Sequence, residues 1–565
     1  MAGSIERVAV IGSGVMGAGI AAHCANAGCE VLLLDIVPKG SEDRSALARD
    51  AIQKMHKSNP EMLMHKRNAK RITPGNIEDD LEKLKDFDWV VEVIIENLDI
   101  KRTLYSNISK HIGPNTILSS NTSTLPRSEL VSELPEDIAS RFLITHFFNP
   151  PRYLPLLEVV TAPEVDEATV ERFCTFADLD LGKRVTMCND RPGFIGNRLG
   201  VYFIQRAFKA TLDHDLSIEQ ADAMLGRPIG LPKTAVFALM DLVGIDLIPH
   251  VTGSLLSHLP DDDPFHEIAG TGEGIVMSMI DDGYTGRKGK GGFYRLNREG
   301  GKKVKEARNL STGEYHTANR RAAFPSAKMG KRGLAPLMDC DDDGARFVSD
   351  VLLDSLSYAA HIVPDVSDDI YSIDGAMKVG YNWKRGPFEM MDSIGASSMV
   401  ERLKATGRKV PSFLSLAAEK GSFYGIEGGE ITRLSPSGEM IVVERPDETL
   451  NVADLKRRGK PLKRNGSASI WDMGDDVLLV EYHTKMNAMD PMNMEMLLNA
   501  VDMAETEGLN GIVIGNDASN FCAGANLGLA LFAANLAAWK DLEDFIGLGQ
   551  DTYQTVKYSE IPVVA

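Results

Sequence analysis

The chain has 565 residues with 61 Lys and Arg against 80 Asp and Glu, a formal net charge of −19. That length exceeds what one hydrophobic core organises and predicts roughly three to four domains, while the charge argues against a nucleic-acid partner, because polyanion affinity comes from Lys and Arg neutralising phosphates. Six scattered cysteines without paired spacing predict neither a disulfide framework nor a metal site, and no apolar run approaches the ~20 residues of a transmembrane segment.

In chain order, MAGSIERVAV lacks the basic and apolar regions of a secretory signal, which predicts a cytoplasmic location. An apolar run, Arg7 to Ile11, then leads into GSGVMG and a small-residue stretch, and a second run, Val31 to Leu34, ends at Asp35. This reads as strand, turn, helix, strand. Gly12, Gly14 and Gly17, with Val15 and Met16 between them, would let the backbone approach a pyrophosphate at the helix N-terminus. An acid at Asp35 can accept both ribose hydroxyls and repel a 2′-phosphate, which selects NAD over NADP. Further strand-like runs at Trp89–Val93, Thr116–Ser119, Phe142–Thr145 and Leu156–Val160 predict a mostly parallel, doubly wound sheet. Between the second strand and Trp89, KMHKSNPEMLMHKRNAKR predicts a projecting helical arm, either a solvated face or a surface near an anionic substrate.

Oxidising a secondary alcohol with NAD needs a base beside the nicotinamide, and histidine suits that task. His146 directly follows RFLIT, at a carboxyl strand end, and Glu158 lies inside the apolar run LLEVV. A carboxylate there is costly unless paired, so the two are read as base and orienter. Spacing alone leaves open a structural histidine beside a solvent-facing glutamate.

After CNDRPGFIGNRL the pattern turns helical, and ADAMLGRPIGLPKTAVFALMDLVGID is echoed by IDGAMKVGYNWKRGPFEMMDSIGA, which predicts a duplicated helical domain. The Gly- and Lys-rich GRKGKGGFYRLNREGGKKVKEARN reads as the end of the first copy and a linker, and the later LKRRGKPLKRNGSAS as a second linker after the second copy. From Ser469 an alternating pattern returns.

SSNTS, HFFNPP, LLEVV and DRPGFIGNRL, in this order behind GSGVMG, resemble the 3-hydroxyacyl-CoA dehydrogenase family over about the first three quarters of the chain. The resemblance implies an α/β Rossmann domain followed by duplicated all-α dehydrogenase C-terminal domains, and an (S)-3-hydroxyacyl-CoA oxidised to 3-oxoacyl-CoA in fatty-acid β-oxidation. It implies His146 as general base, Glu158 as its partner, and Ser123 and Asn197 on the substrate oxygen. Asp35 would meet the adenosine ribose, with Glu96, Lys101, Ser123 and Asn149 toward the nicotinamide half of NAD. Ser123 and Asn197 could instead be turn and cap residues, and Lys101 a solvated lysine.

GIVIGNDASNFCAGANL resembles the first half of the crotonase, or enoyl-CoA hydratase, signature, which implies Ala523 as one oxyanion-hole donor. Asn526 stands where that family commonly has an aspartate. The second oxyanion donor and both catalytic glutamates of the hydratases would follow IPVVA, so hydratase activity is expected only in a longer natural chain. The expected layout is 1–185 NAD-binding, 186–298 first helical copy, 299–331 linker, 332–428 second copy, 429–468 linker and 469–565 incomplete crotonase-like domain. Expected partners are an acyl-CoA thioester and a thiolase, in a monomer or homodimer; in simpler family members two subunits meet through the helical domain, a contact the second copy could imitate. Two other readings stay open: a dehydrogenase of a non-CoA hydroxy acid, and a catalytically silent NAD-binding scaffold.

Overall fold

β1 (Arg7–Ile11) is buried from Val8 onward, because a central parallel strand is covered on both faces. Seven more strands join it: β2 (Glu30–Asp35), β3 (Ile72–Asn76), β4 (Trp89–Glu92), β5 (Ile117–Ser120), β6 (Phe142–Phe147), β7 (Leu156–Val160) and β8 (Arg184–Cys188). In this computed structural model, which describes residues 4–298, 301–445 and 449–565, they order as β3-β2-β1-β4-β5-β6-β7-β8. Neighbours are parallel except β6 and β7, which are antiparallel. The connection 148–155 is shorter than the dozen or so residues a parallel crossover needs, so the chain must turn straight back. Between β1 and β4 the strand order reverses, opening the crevice where ligands of such sheets bind.

The sheet departs from expectation at its edges. β3 (ITPGN) carries Pro and Gly, tolerated at an edge where one side of the ladder is unpaired, and neither it nor β8 stands out as an apolar run. The basic segment before β3 is not a projecting helical arm. Its helix stops at Met55, and the rest folds back, with Asn26 of α1 (Val15–Ala27) bonding the Met62 carbonyl at 2.9 Å and Asn68 at 3.0 Å.

The chain divides into two compact units, Met1–Tyr424 with Arg433–Met440, and Gly425–Thr432 with Ile441–Ala565. In the first, the helical repeat is visible down to its polar core. Asp222 accepts from the backbone N–H groups of Val236, Phe237 and Ala238 and from the Tyr294 hydroxyl. Asp374 accepts from Phe388 N, Glu389 N and the Tyr424 hydroxyl. Asp241 holds Phe293 N and Tyr294 N, as Asp392 holds Phe423 N and Tyr424 N. Each network wraps an edge-to-face ring pair, Phe237–Phe293 and Phe388–Phe423, both with centroids 5.0 Å apart. A buried carboxylate is tolerated only when so fully donated to.

The two copies meet along the Gly196–Asp213 and Asp343–His361 helices, where Tyr202 and Tyr358 stack at 3.8 Å. Arg198 bonds Tyr358 at 2.5 Å and pairs with buried Asp263. Gly200 is required where the first of these helices meets Tyr381 of the second copy, because a Cβ there would lie 1.9 Å from the Tyr381 hydroxyl.

Of the stretch 299–331, expected as a linker, residues 299 and 300 lie outside the described residues, and 301–331 carries regular structure. Val304–Arg308 and Tyr315–Thr317 pair with Tyr294–Asn297 in a three-stranded antiparallel sheet. Its cross-strand partners Arg295 and Glu306 form an ion pair at 2.7 Å, so charge that suggests a solvated loop stabilises a hairpin instead. Within 429–468, the other expected linker, the helix Val452–Arg458 forms.

The second unit contains a five-stranded sheet, whose strands Ala468–Asp472, Val477–Tyr482 and Gly511–Ile514 pack on the helix Pro491–Glu507. Asp490 caps that helix by accepting from Asn493 N at 3.0 Å. Among the described residues no single helix is long and apolar enough to cross a membrane.

Candidate active site

The turn between β1 and α1 has the form a pyrophosphate requires. Gly12 adopts φ +108°, and a Cβ on it would meet the Val93 carbonyl at 2.5 Å. Gly17 packs on the Gly12 carbonyl, where a Cβ would fall 1.8 Å away, while the space beside Gly14 is open. The first turn of α1 carries no side-chain cap, so its N–H groups are available to an anion. Asp35 ends β2 with its carboxylate accepting from Ser13 N at 2.7 Å and Ser13 Oγ at 2.5 Å, which ties the acid to the glycine turn. Val15, Ile36 and Ile95, close behind the carboxyl ends of β1, β2 and β4, are 65%, 59% and 64% exposed. An apolar rim there suits the flat rings of a dinucleotide, so the residues present fit NAD.

His146 and Glu158 are register partners across the antiparallel β6–β7 pair. His146 Nδ1 lies 2.7 Å from Glu158 Oε2, and the glutamate is fully buried. Glu158 Oε1 accepts two backbone N–H bonds, from Ile195 at 3.1 Å and Gly196 at 2.7 Å. A carboxylate can only accept, so opposite Glu158 as a carboxylate Nδ1–H is the donor and Nε2 keeps the lone pair of the neutral ring. The turn supplying those amides is tightly bent, with Gly193 at φ +74° and Phe194 at +49°, a conformation that non-glycine residues adopt only under surrounding constraint. Phe148 and Phe194 flank the imidazole with ring centroids at 4.6 and 5.7 Å.

The SSNTS loop is tied to the strand that carries His146, with Asn121 Oδ1 accepting from Phe147 N at 2.9 Å. Asn197 Nδ2 reaches the Ser123 carbonyl at 3.5 Å, so the two expected substrate-binding residues are brought together. Among the described residues the Ser123 hydroxyl carries no protein hydrogen bond. Glu96 gathers the loop, accepting from Thr122 Oγ1 at 2.5 Å and Ser123 N at 2.9 Å. Burial pushes the Glu96 carboxyl up, but Lys101 and these donors outweigh it and hold the group below its ordinary range. Lys101 is not a solvated lysine: it is 1% exposed and bonds Glu92 at 2.7 Å.

Glu92 is the residue that sequence reasoning passed over. It is fully buried at the end of β4 and accepts from Lys101, Ser120 Oγ, Ile94 N and the Tyr105 hydroxyl. The signal was present, since WVVE is an acid in an apolar strand, as LLEVV is. Asn149, expected near the nicotinamide, is exposed after β6 and precedes a cis peptide bond to Pro150. Ala523 lies in the second unit, where its N–H donates to the Met486 carbonyl at 3.2 Å; it is therefore not a free oxyanion donor in this conformation.

Comparison with known proteins agrees with this geometry. The family model described as 3-hydroxyacyl-CoA dehydrogenase, NAD binding domain, matches residues 7–191, and that of the family's C-terminal domain matches 193–296. A Bacillus subtilis protein named "Probable 3-hydroxyacyl-CoA dehydrogenase" is 36% identical over 99% of this chain and 73% of its own length. A Rickettsia felis protein named "Putative fatty acid oxidation complex trifunctional enzyme" is 35% identical over 100% of this chain and 75% of its own. In fold, the crystal structure of 3-hydroxybutyryl-CoA dehydrogenase from Escherichia coli superposes with a TM-score of 0.56 at 23% identity, over 74% of this chain and 99% of that one. The glycine turn, the strand-paired dyad and these matches together place the chain in the 3-hydroxyacyl-CoA dehydrogenase family, as an NAD-dependent oxidoreductase.

Proposed function

We propose that the chain oxidises (S)-3-hydroxyacyl-CoA thioesters to 3-oxoacyl-CoA in fatty-acid oxidation, with His146 as general base. The observation that carries this reading is the 2.7 Å contact between His146 Nδ1 and a fully buried glutamate, which leaves Nε2 as an acceptor. Bound NAD supplies the hydride acceptor. His146 Nε2 takes the hydroxyl proton as the C3 hydride departs, and Glu158 stabilises the imidazolium formed. The Ser123 hydroxyl and the Asn197 amide hold the substrate oxygen against the imidazole, while Glu96, Lys101 and Glu92 fix the loop that carries Ser123.

The second unit is read as crotonase-like from GIVIGNDASNFCAGANL; an oxyanion role for Ala523 there requires its bond to Met486 to break. A 3-oxoacyl-CoA product is the substrate of thiolytic cleavage, which makes a thiolase the expected partner.

The test is His146→Gln. It should keep NAD affinity while hydride transfer to or from a coenzyme A thioester falls about 10³-fold, within the range of general-base catalysis; wild-type turnover would remove the dyad from the mechanism. Reduction of acetoacetyl-CoA with little of free acetoacetate distinguishes the thioester reading from a dehydrogenase of free hydroxy acids.

A further inference from the structure

The GRKGKGGFYRLNR stretch of the first helical copy packs tightly inward and is charged outward. A Cβ on Gly292 would fall 1.9 Å from Asp241 Oδ1, and one on Gly286, at φ +98°, 2.5 Å from the Asp241 carbonyl. The loop therefore lies flat on Asp241, and its long side chains point away into a cleft of about 570 Å³. Arg287, Lys290, Arg295, Arg298 and Lys305 line that cleft. Arg295 is matched by Glu306 at 2.7 Å, and Lys288 close by is matched by Asp246 at 2.7 Å. Among the described residues the other four cations, Arg287, Lys290, Arg298 and Lys305, have no carboxylate at ion-pair distance. Lys290 Nζ bonds the Asp282 carbonyl at 3.0 Å. The Lys305 ammonium lies 3.6 Å over the Tyr294 ring, where burial lowers its pKa.

The second copy provides an internal control. Asp392 grips Phe423 and Tyr424 as Asp241 grips Phe293 and Tyr294. Yet Glu419, Lys420, Gly421 and Ser422 precede that pair, and Gly425, Ile426 and Glu427 follow it. The same buried network forms with Lys420 alone retained, at the place of Lys290, so packing does not require the other cations. Asp241, which also lines the cleft, attracts Arg287 and Lys305, and Asp222 and Glu219 attract Lys305, but all from beyond ion-pair distance, so the mutual repulsion of four cations around one concavity is offset in part and not cancelled.

We propose that this cleft binds a phosphate-rich small anion carrying two or more phosphate groups. Arg287 and Arg298 offer planar forks that meet phosphate oxygens in pairs, Lys290 and Lys305 add point charges, and a cleft of this size holds a nucleotide. Inorganic pyrophosphate and the nucleotide end of a coenzyme thioester share this chemistry.

The test is calorimetric titration of the full chain with pyrophosphate, adenosine 3′,5′-bisphosphate and ATP, before and after Arg287→Glu/Lys290→Glu/Arg298→Glu. We expect binding to one of these probes to weaken about tenfold or more in the charge-reversed chain, and about threefold in Arg287→Ala or Arg298→Ala alone. The single variants keep the proposal testable should the triple variant misfold. An unchanged far-UV circular dichroism spectrum and thermal melt in every variant report that the chain is folded. Tighter binding of the adenosine bisphosphate than of pyrophosphate identifies a nucleotide ligand, and equal binding identifies recognition of phosphate alone. Equal affinity of wild-type and charge-reversed chains for all three probes, or no binding up to millimolar concentration, overturns the proposal.

Discussion

The two helical copies share their buried carboxylates, aromatic pairs and long central helix, but the first alone borders the His146–Glu158 pair with a turn that donates to Glu158. Asp222 and Asp374 occupy equivalent places and hold equivalent groups. Ile195 N and Gly196 N, by contrast, bond Glu158 from the start of the first copy's central helix, and the second copy's central helix starts at Asp343, capped by Asp342. The comparison separates what a helical domain needs in order to fold from what it needs in order to act. In the proposed mechanism the shared carboxylates serve folding, and the turn that meets Glu158 serves chemistry.

The sharpest way to break this division is to lesion each side. Glu158→Gln should lower turnover about 10³-fold, because its amide carries no charge and can face Nδ1 as a donor, which leaves the imidazole in the wrong tautomer, and should leave the melting temperature little changed; steady-state kinetics beside a thermal melt check both halves. Asp374→Ala should do the reverse. It strands two backbone donors and a tyrosine hydroxyl, costing about 3 kcal/mol or more, while turnover per folded molecule stays near wild type in an active-fraction assay. A large rate loss in this variant would dissolve the distinction. Gly200→Ala, which drives a methyl into the Tyr381 hydroxyl, should destabilise the contact between copies by about 1–3 kcal/mol, read as a lower denaturant midpoint. The smallest effect concerns pH. Burial pushes Asp374 up to about 8 and Asp222 up to about 7. A carboxyl whose folded pKa lies above its unfolded value contributes stability that is present below about pH 4 and lost as pH rises through the folded pKa. The stability gap between wild type and Asp374→Asn should therefore narrow from pH 5 to pH 9, as denaturant titrations at each pH would show.

Much of the site was legible because it rests on local rules. Glycines before a small-residue helix, an acid closing the second strand, and an acid inside an apolar strand each have a cost that points to a partner, and His146 and Glu158 do sit opposite each other. The same rule applied to WVVE would have found Glu92. What the sequence hid was long-range. β3 and β8 lie at sheet edges, where composition is weak. The basic segment before β3 looks like an arm because its charges are exposed, although Asn26 anchors it to α1. The Tyr315–Thr317 and Val304–Arg308 strands read as linker because their stability comes from pairing with Tyr294–Asn297. The antiparallel turn between β6 and β7 follows from a connection length that composition does not display.

The central claim is that the histidine and the glutamate act as one unit, and a double-variant cycle tests it most directly. Hydride-transfer rates would be measured for His146→Gln, Glu158→Gln and the pair together. If the glutamate serves only through the imidazole, the double variant should be no slower than His146→Gln alone. Losses that multiply across the two positions would contradict the account.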